Sequence, residues 1–519
     1  MSVTFIIFQI SVVSLSYSFG EEINLYGDAG EAYAIEMNIG HPHQKFKLLV
    51  DTGSTTLALA SYAREDSNIY FHADNSSSLF NSGTTIEAAY TQGTWTGLLA
   101  SDFIQFPSLS IPEVRSDFAL ITKSHEFFTK ASVWQGLLGL AYNPVGAWGK
   151  SGAVESWLDA LDRHLNKPMS FQLKLCGPIS TSNTTHYGYF KVIDNQTPQS
   201  NHNKTFRTPV LRKRWYEVGV IGVRVLSSLT SEAKNKTVGE IREPDKDMCV
   251  KLNTVKSIVD SGTTQIKLPD KLFREVVDEL KNEFRKSQVL ILDEFWNRRE
   301  AACWLEPQVW TLPWLAIDLL SADADNQYFT LEIPPQNYML VVGVHNSSDT
   351  SGTVSTYCYK LGLETGYTET VLGYTAMEGL QVTFNRSAGW IGFQTSDCGA
   401  NARITGPYNT STSLKTTCEL IKPVAEVATS IQAAQWALCG ISIIAASVLL
   451  YLLGPCIKNL FLRKMPRSQQ ISLSQAALVE EDSPEGEPCF GSTGVIPRPY
   501  RKLAWNIDSF AFFRVIEFT

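Results

Sequence analysis

Positive charge is scarce: 44 Lys and Arg stand against 52 Asp and Glu, for a net charge of −8. Without a basic field there is nothing to neutralise a phosphate backbone, so no nucleic-acid partner is expected, and the acidic balance suits a protein of an acidic lumen. No C-x-x-C occurs, and no clustered His pair stands beside the six cysteines that precede the apolar run, which favours disulfides over metal ligation there. No Lys or Arg precedes Lys45, so no basic cleavage site stands upstream of the first strand. No charged side chain interrupts the run from Trp436 to Leu453.

What is present begins with length. At 519 residues the chain is too long for one ordinary core, and two lobes with extra segments are the natural arrangement. Residues 1–20 form an apolar run ending in Ser18-Phe19-Gly20, whose small outer residues suit signal-peptidase cleavage. The run from Trp436 to Leu453 predicts a transmembrane helix over 433–455, with Trp436 and Tyr451 where interfacial aromatics belong. Lys458, Arg463, Lys464 and Arg467 follow it, so the tail 456–519 is expected in the cytosol and the protein to be single-pass, type I, of the Golgi, endosome or cell surface.

Cysteine placement agrees with this topology. Cys176, Cys249, Cys303, Cys358, Cys398 and Cys418 precede the span, Cys439 lies inside it, and Cys456 and Cys489 follow. Six cysteines in an oxidising lumen can pair completely, with fifteen connectivities open to sequence alone. The sequons at Asn75, Asn183, Asn195, Asn203, Asn235, Asn346, Asn385 and Asn409 also all precede the span.

The chain is organised around a repeat. Leu48-Leu49-Val50-Asp51-Thr52-Gly53-Ser54-Thr55-Thr56 recurs as Ser257-Ile258-Val259-Asp260-Ser261-Gly262-Thr263-Thr264. In each copy β-formers end in an Asp, followed by a hydroxyl residue, a Gly that lets backbone approach, and further hydroxyls able to bond the carboxylate. A single copy would be an ordinary turn; two behind apolar runs predict similar lobes about a pseudo-two-fold axis. The lobes are expected over 21–205 and 206–400, with a stalk over 401–432.

Strand-like alternation from Tyr33 to Gly40, closed by a Gly-His-Pro turn, and Phe46 to Val50 deliver Asp51. Ala88 to Gly97 reads as a hairpin able to fold over a cleft, and Gly136 to Tyr142 as a Gly-punctuated strand passing behind the Asp loop. Val154, Trp157, Leu158, Leu161 and Leu165 recur at helical spacing, as do Leu272, Phe273, Val276, Val277, Leu280 and Phe284 after Pro269. A strand is expected from Trp215 to Val225, after a solvated charge run Arg212-Lys213-Arg214.

Two carboxylates facing each other cannot easily both ionise, so the pair shares a proton and supplies one base and one acid. The base can activate a water against a peptide carbonyl while the acid protonates the carbonyl oxygen, with no metal or cofactor required. The segments carrying this chemistry are Val50-Asp51-Thr52-Gly53-Ser54, Ala89-Tyr90-Thr91-Gln92-Gly93-Thr94-Trp95, Trp134 to Tyr142 and Lys256 to Thr264. Together they make the chain resemble the pepsin-like aspartic proteases, most closely the membrane-anchored β-secretase (memapsin) branch, over nearly all of its luminal part.

The resemblance implies a mainly β, bilobal pepsin-like fold and an aspartic endopeptidase acting on peptide segments of membrane or secreted proteins. It implies Asp51 and Asp260 as the catalytic dyad, supported by Ser54, and Tyr90 as a flap residue positioned by Trp95. Gly53, Tyr90, Thr91, Gln92, Gly262, Thr263 and Thr264 would bind substrate, Thr263 also bonding the outer oxygen of Asp260. Lys267 takes the place of a basic residue beside the substrate subsites of β-secretase; the charge is kept, the planar fork of Arg is not. The implied disulfides are Cys176–Cys398, Cys249–Cys418 and Cys303–Cys358. An inactive cell-surface protein on the same fold and a soluble cathepsin D-like protease are the rival readings. The two Asp residues with Tyr90 argue against the first, and the apolar span against the second.

Overall fold

The computed structural model describes residues 21–421, apart from 28–32, 66, 92, 108–110, 129–131, 133, 143–147, 150–151, 179–184, 195–203, 228–240, 288, 290, 305–311 and 350–351, and also 438–453. The expected leader 1–20, the tail 456–519 and Gln92 lie outside the described residues. Strands dominate, as the alternating patterns require.

The repeat in sequence is a repeat in topology. Gln44–Asp51 runs parallel to Gly136–Gly139, with Asp51 opposite Gly139, and Ala58–Ala60 lies antiparallel on the other side of Gly136–Gly139. In the second half Ser257–Val259 runs parallel to Thr370–Leu372, and Ile266–Leu268 lies antiparallel on its other side. Each Asp loop therefore connects two strands that flank a third. This third strand must pass close behind the loop, and a glycine stands where it does so. A Cβ on Gly139 would overlap the Thr55 backbone, and one on Gly373 would meet the Thr263 carbonyl oxygen at 2.5 Å.

The halves are not separate bodies. Met169–Pro178 of the first pairs antiparallel with Leu380–Asn385 of the second, Phe171 opposite Phe384 and Leu175 opposite Leu380, so one sheet crosses the molecule. On it Phe171 stacks on Phe384 at 4.7 Å, with the buried Tyr216 edge-on to Phe384 at the same distance. Burying each such ring contributes on the order of 2–3 kcal/mol. All three implied disulfides form: Cys176–Cys398, Cys249–Cys418 and Cys303–Cys358.

Both expected helices form. Trp157–Leu165 starts at Ser156, whose side chain accepts from Asp159 N–H at 3.1 Å, and ends at Asn166 in the left-handed region. Trp157, Leu158 and Leu161 are buried; Val154 is buried just ahead of the helix. Its outer face holds Asp159 and Asp162, both bound by the buried Arg386 guanidinium, at 2.6 and 3.3 Å. Asp270–Lys286 buries Leu272, Val276, Val277, Leu280 and Phe284, while Asp270 at its start and Arg285 and Lys286 at its end complement the helix dipole.

Several boundaries move. The strand expected from Trp215 begins at Val220, because Tyr216 and Val218 are spent on bonds to Val259 and Ser257 beside the second Asp loop. Arg212 and Arg214 are ion-paired with the buried Glu217 rather than freely solvated. The stalk expected from 401 meets folded chain as far as Ile421: Arg403–Asn409 pairs with Gln327–Ile333, and Leu414, Cys418 and Leu420 join a small core with Cys249 and Tyr328. This tether is long-range pairing plus a disulfide, which no local pattern announces.

Residues 422–513 form a second unit, described only over 438–453. That stretch is helical with exposed Leu and Ile side chains, and Ser447 Oγ donates to the Ile443 carbonyl at 2.8 Å. Among the described residues no helix is long and apolar enough to cross a membrane. The flanks of the expected 433–455 span lie outside the described residues.

Candidate active site

Both Asp residues sit at the ends of their strands, buried, with their carboxylates in matching cradles. Gly53 N–H donates to Asp51 Oδ1 at 2.8 Å and Ser54 Oγ donates to Asp51 Oδ2. Gly262 N–H donates to Asp260 Oδ1 at 2.9 Å and Thr263 Oγ1 to Asp260 Oδ2 at 2.7 Å. The D-[ST]-G-[ST] spacing folds this way because the turn brings the N–H two residues on, and the hydroxyl three on, back to the carboxylate that opens it.

The two cradles face each other. A Cβ on Gly262 would overlap Asp51 Oδ1, and one on Gly53 would stand 2.8 Å from Asp260 Cγ. Each glycine is thus the floor against which the opposite carboxylate rests, and only hydrogen fits there. Beneath them the second loop positions interlock. Thr52 N–H donates to Ser261 Oγ at 3.1 Å, and Ser261 N–H donates to Thr52 Oγ1 at 2.9 Å. Thr52 Oγ1 donates onward to the Val259 carbonyl at 2.9 Å, and Ser261 Oγ to the Val50 carbonyl at 2.6 Å.

This proximity sets the electrostatics. Burial first, and then the charge of Asp260, push the Asp51 carboxyl well above the ordinary carboxylate range; the bonds from Ser54 and Gly53 N–H oppose the shift. A further hydrogen bond between the two carboxyl groups also raises Asp51, which is the behaviour of a pair sharing one proton.

The hairpin forms from Phe80–Tyr90 and Gly93–Gln105, with Ala88 opposite Trp95 and Tyr90 opposite Gly93. Thr91 is exposed at its tip. Trp95 is buried among Ala58, Ile86, Ala88, Ala119 and Leu137, so it anchors the base of the hairpin to the sheet. Tyr90 packs on Phe127 with ring centroids 5.4 Å apart, and Phe127 meets Trp134 edge-on at 5.6 Å.

The model of the eukaryotic aspartyl protease family matches residues 32–396. This chain belongs to that family. The β-secretase of Strongylocentrotus purpuratus is 30% identical to it over 400 residues, covering 74% of this chain and 70% of that protein. The vacuolar aspartic protease of Candida albicans is 25% identical over 244 residues, 46% of this chain and 52% of its own length. Pepsin A-5 of Mus musculus is 32% identical over 130 residues, 24% of this chain and 33% of its own.

In this aspartyl protease the residues expected at the site separate into groups. Asp51, Gly53, Ser54, Asp260, Gly262 and Thr263 come together at the facing loops, while Tyr90, Thr91 and Trp95 share the hairpin. Thr264 lies just beyond, its carbonyl accepting from Thr375 N–H and Oγ1. Lys267 is buried in its strand opposite Glu364 and Val371, outside the hydrogen bonds recorded around the carboxylates. Sequence reasoning gave Thr52 and Ser261 no role, although a hydroxyl at the same place in both copies was the signal. It also passed over Phe127, whose contact with Tyr90 spans two strands and leaves no local trace.

Proposed function

We propose that the protein is an aspartic endopeptidase anchored to a membrane by one helix, which hydrolyses peptide bonds in the ectodomains of other membrane proteins. The observation that carries the reading is the reciprocal floor: each loop's glycine rests against the other loop's carboxylate, leaving Asp51 and Asp260 to share one proton.

The chemistry follows from that proton. The ionised carboxylate removes a proton from a water lying between the pair as its oxygen bonds to the scissile carbonyl carbon, and the protonated carboxyl gives its proton to the carbonyl oxygen. The tetrahedral intermediate then returns the hydroxyl proton to the dyad. The carboxylate that took the water's proton passes it to the departing nitrogen, so the C–N bond breaks and the dyad is left singly protonated again. Tyr90 and Thr91 at the hairpin tip close over the peptide and exclude bulk water. Gly53 and Gly262 let the two carboxylates approach closely enough to hold that water between them.

The kinship with the sea-urchin β-secretase supports the choice of membrane-protein substrates. The uncharged run from Trp436 to Leu453, helical over 438–453 with its apolar side chains exposed, supports the anchor, and Lys458, Arg463, Lys464 and Arg467 after it support the luminal placement of the catalytic lobes. Asp51→Asn and Asp260→Asn should each abolish cleavage of a peptide substrate while leaving secretion and disulfide formation intact. Full activity in either variant would overturn the assignment.

A further inference from the structure

The turn that joins Ala34–Ile39 to Gln44–Asp51 carries His41 and His43 on either side of Pro42. Their rings lie 4.9 Å apart. Glu113, the residue before the strand Val114–His125, comes up beneath both: its Oε1 is 3.4 Å from His41 Nε2 and 3.8 Å from His43 Nε2. That oxygen is shut off from solvent and has no hydrogen bond among the described residues. A buried carboxylate oxygen in that condition is costly, and a bound cation is one of the few things that relieves it.

One of the histidines is held in place by its ring. His43 Nδ1 is 2.8 Å from the Gly40 carbonyl oxygen. A carbonyl only accepts, so Nδ1 donates to it and Nε2 is left on the side of Glu113, 3.8 Å from Oε1, the arrangement by which backbone carbonyls fix metal-binding imidazoles. The turn beneath is fixed as well. His41 N–H donates to Ser76 Oγ at 3.1 Å, Ser76 Oγ donates to the buried Asp102 at 2.6 Å, and the His41 ring lies against Phe103 at 5.0 Å.

We propose that His41 Nε2, His43 Nε2 and Glu113 Oε1 form a binding site for a divalent transition-metal ion, zinc in the first place, with a fourth position open to water. Two imidazoles and one carboxylate suit zinc; calcium and magnesium take oxygen-only sets, and copper(I) takes sulfur. Zinc bonds of 2.0–2.1 Å at tetrahedral angles separate neighbouring donors by about 3.3–3.4 Å. The two carboxylate-to-imidazole distances here are 3.4 and 3.8 Å, and all three donor atoms lie within 4.8 Å of one another. Rotation of the two part-exposed rings closes the remainder. The site stands at the far end of the strand that delivers Asp51, roughly 25 Å along an extended chain. Peptide hydrolysis needs nothing from it, and its effect is to tie the turn to the strand beginning at Val114.

The test is a zinc titration of the full-length protein in detergent at neutral pH against a chromogenic chelator, with cobalt(II) absorption as a second readout. Wild type should take up one zinc ion that the triple variant His41→Gln, His43→Gln, Glu113→Gln does not. Each single variant should bind at least about tenfold more weakly. His125→Gln, at a histidine whose side chain is 77% exposed elsewhere, should change nothing. Cobalt should give the visible bands of a low-symmetry tetrahedral site in wild type only. Unchanged zinc uptake in the triple variant, or wild-type protein without cobalt bands, overturns the proposal; the second result does not depend on any variant folding.

Discussion

Thr52→Val isolates the clasp beneath the two carboxylates. Valine keeps the shape of threonine and deletes one oxygen, which in the wild type accepts from Ser261 N–H at 2.9 Å and donates to the Val259 carbonyl at 2.9 Å. Thr52 and Ser261 are buried, so no water replaces it. An orphaned buried polar group costs about 1–3 kcal/mol, and two are orphaned, so the loss should be about 2–6 kcal/mol. Ser261→Ala should cost a similar amount, because it strands Thr52 N–H and the Val50 carbonyl. Both hydroxyls belong to one network, so the double variant should depart from the sum of the singles by at least about 0.5 kcal/mol. Urea unfolding followed by tryptophan fluorescence measures all three, and Thr52→Ser, which keeps the oxygen, should recover most of the loss. The clasp also sets how the carboxylates face, so kcat should fall in step with stability. Thr52→Val within about 0.5 kcal/mol of wild type, or strict additivity in the cycle, would refute the reasoning.

Gly262→Ala places a methyl on Asp51 Oδ1, and the folded, disulfide-bonded protein should lose about 100-fold or more in kcat/KM; a wild-type rate would contradict the reciprocal floor. The working dyad holds one proton and Asp51 is raised, so activity should persist above the ordinary carboxylate range and be lost only as pH rises through the raised value. Ser54→Ala removes a bond that favours ionised Asp51, so the alkaline limb of kcat/KM should move up, and a downward move would contradict the assignment. Arg386→Met leaves Asp159 and Asp162 without their cation and should cost about 3 kcal/mol. Burial already holds Asp162 up at about 6, and losing the guanidinium raises it further. The raised group favours the protonated native state, so the penalty should grow as pH rises past that value, read as the gap in urea midpoint from wild type at about pH 5 and pH 7.

The paired Asp loops, their hydroxyl donors and the hairpin were legible because they are local, whereas the Gly53 and Gly262 N–H bonds to the carboxylates were not foreseen. A D-[ST]-G-[ST] turn makes its bonds within three residues, and a two-residue hairpin tip shows in a run such as Tyr90 to Trp95. The helix Asp270–Lys286 was legible for the same reason, its apolar positions falling at helical spacing. Contacts between distant segments were not. Nothing in Met169–Pro178 names Leu380–Asn385 as its neighbour, nothing in Arg403–Asn409 marks it as folded chain rather than stalk, and Phe127 has no pattern pointing to Tyr90. Pairing over such separations is decided by which complementary edges survive when the rest has packed, a global property of the chain.

The sheet that crosses the molecule also governs when this protein can be born. The edge from Phe171 to Leu175 is covered by Leu380 to Phe384, and the disulfide that seals this seam joins residues 222 apart. At ribosomal speeds of 5–20 residues per second, that stretch takes roughly 10–40 s to emerge. Throughout that interval the nascent first half carries an open, apolar β edge on which another chain can pair. It also carries Asp51 without Asp260. A half-made chain can therefore misassemble, and under the proposed two-carboxylate mechanism it becomes competent to cut only once its second half has arrived.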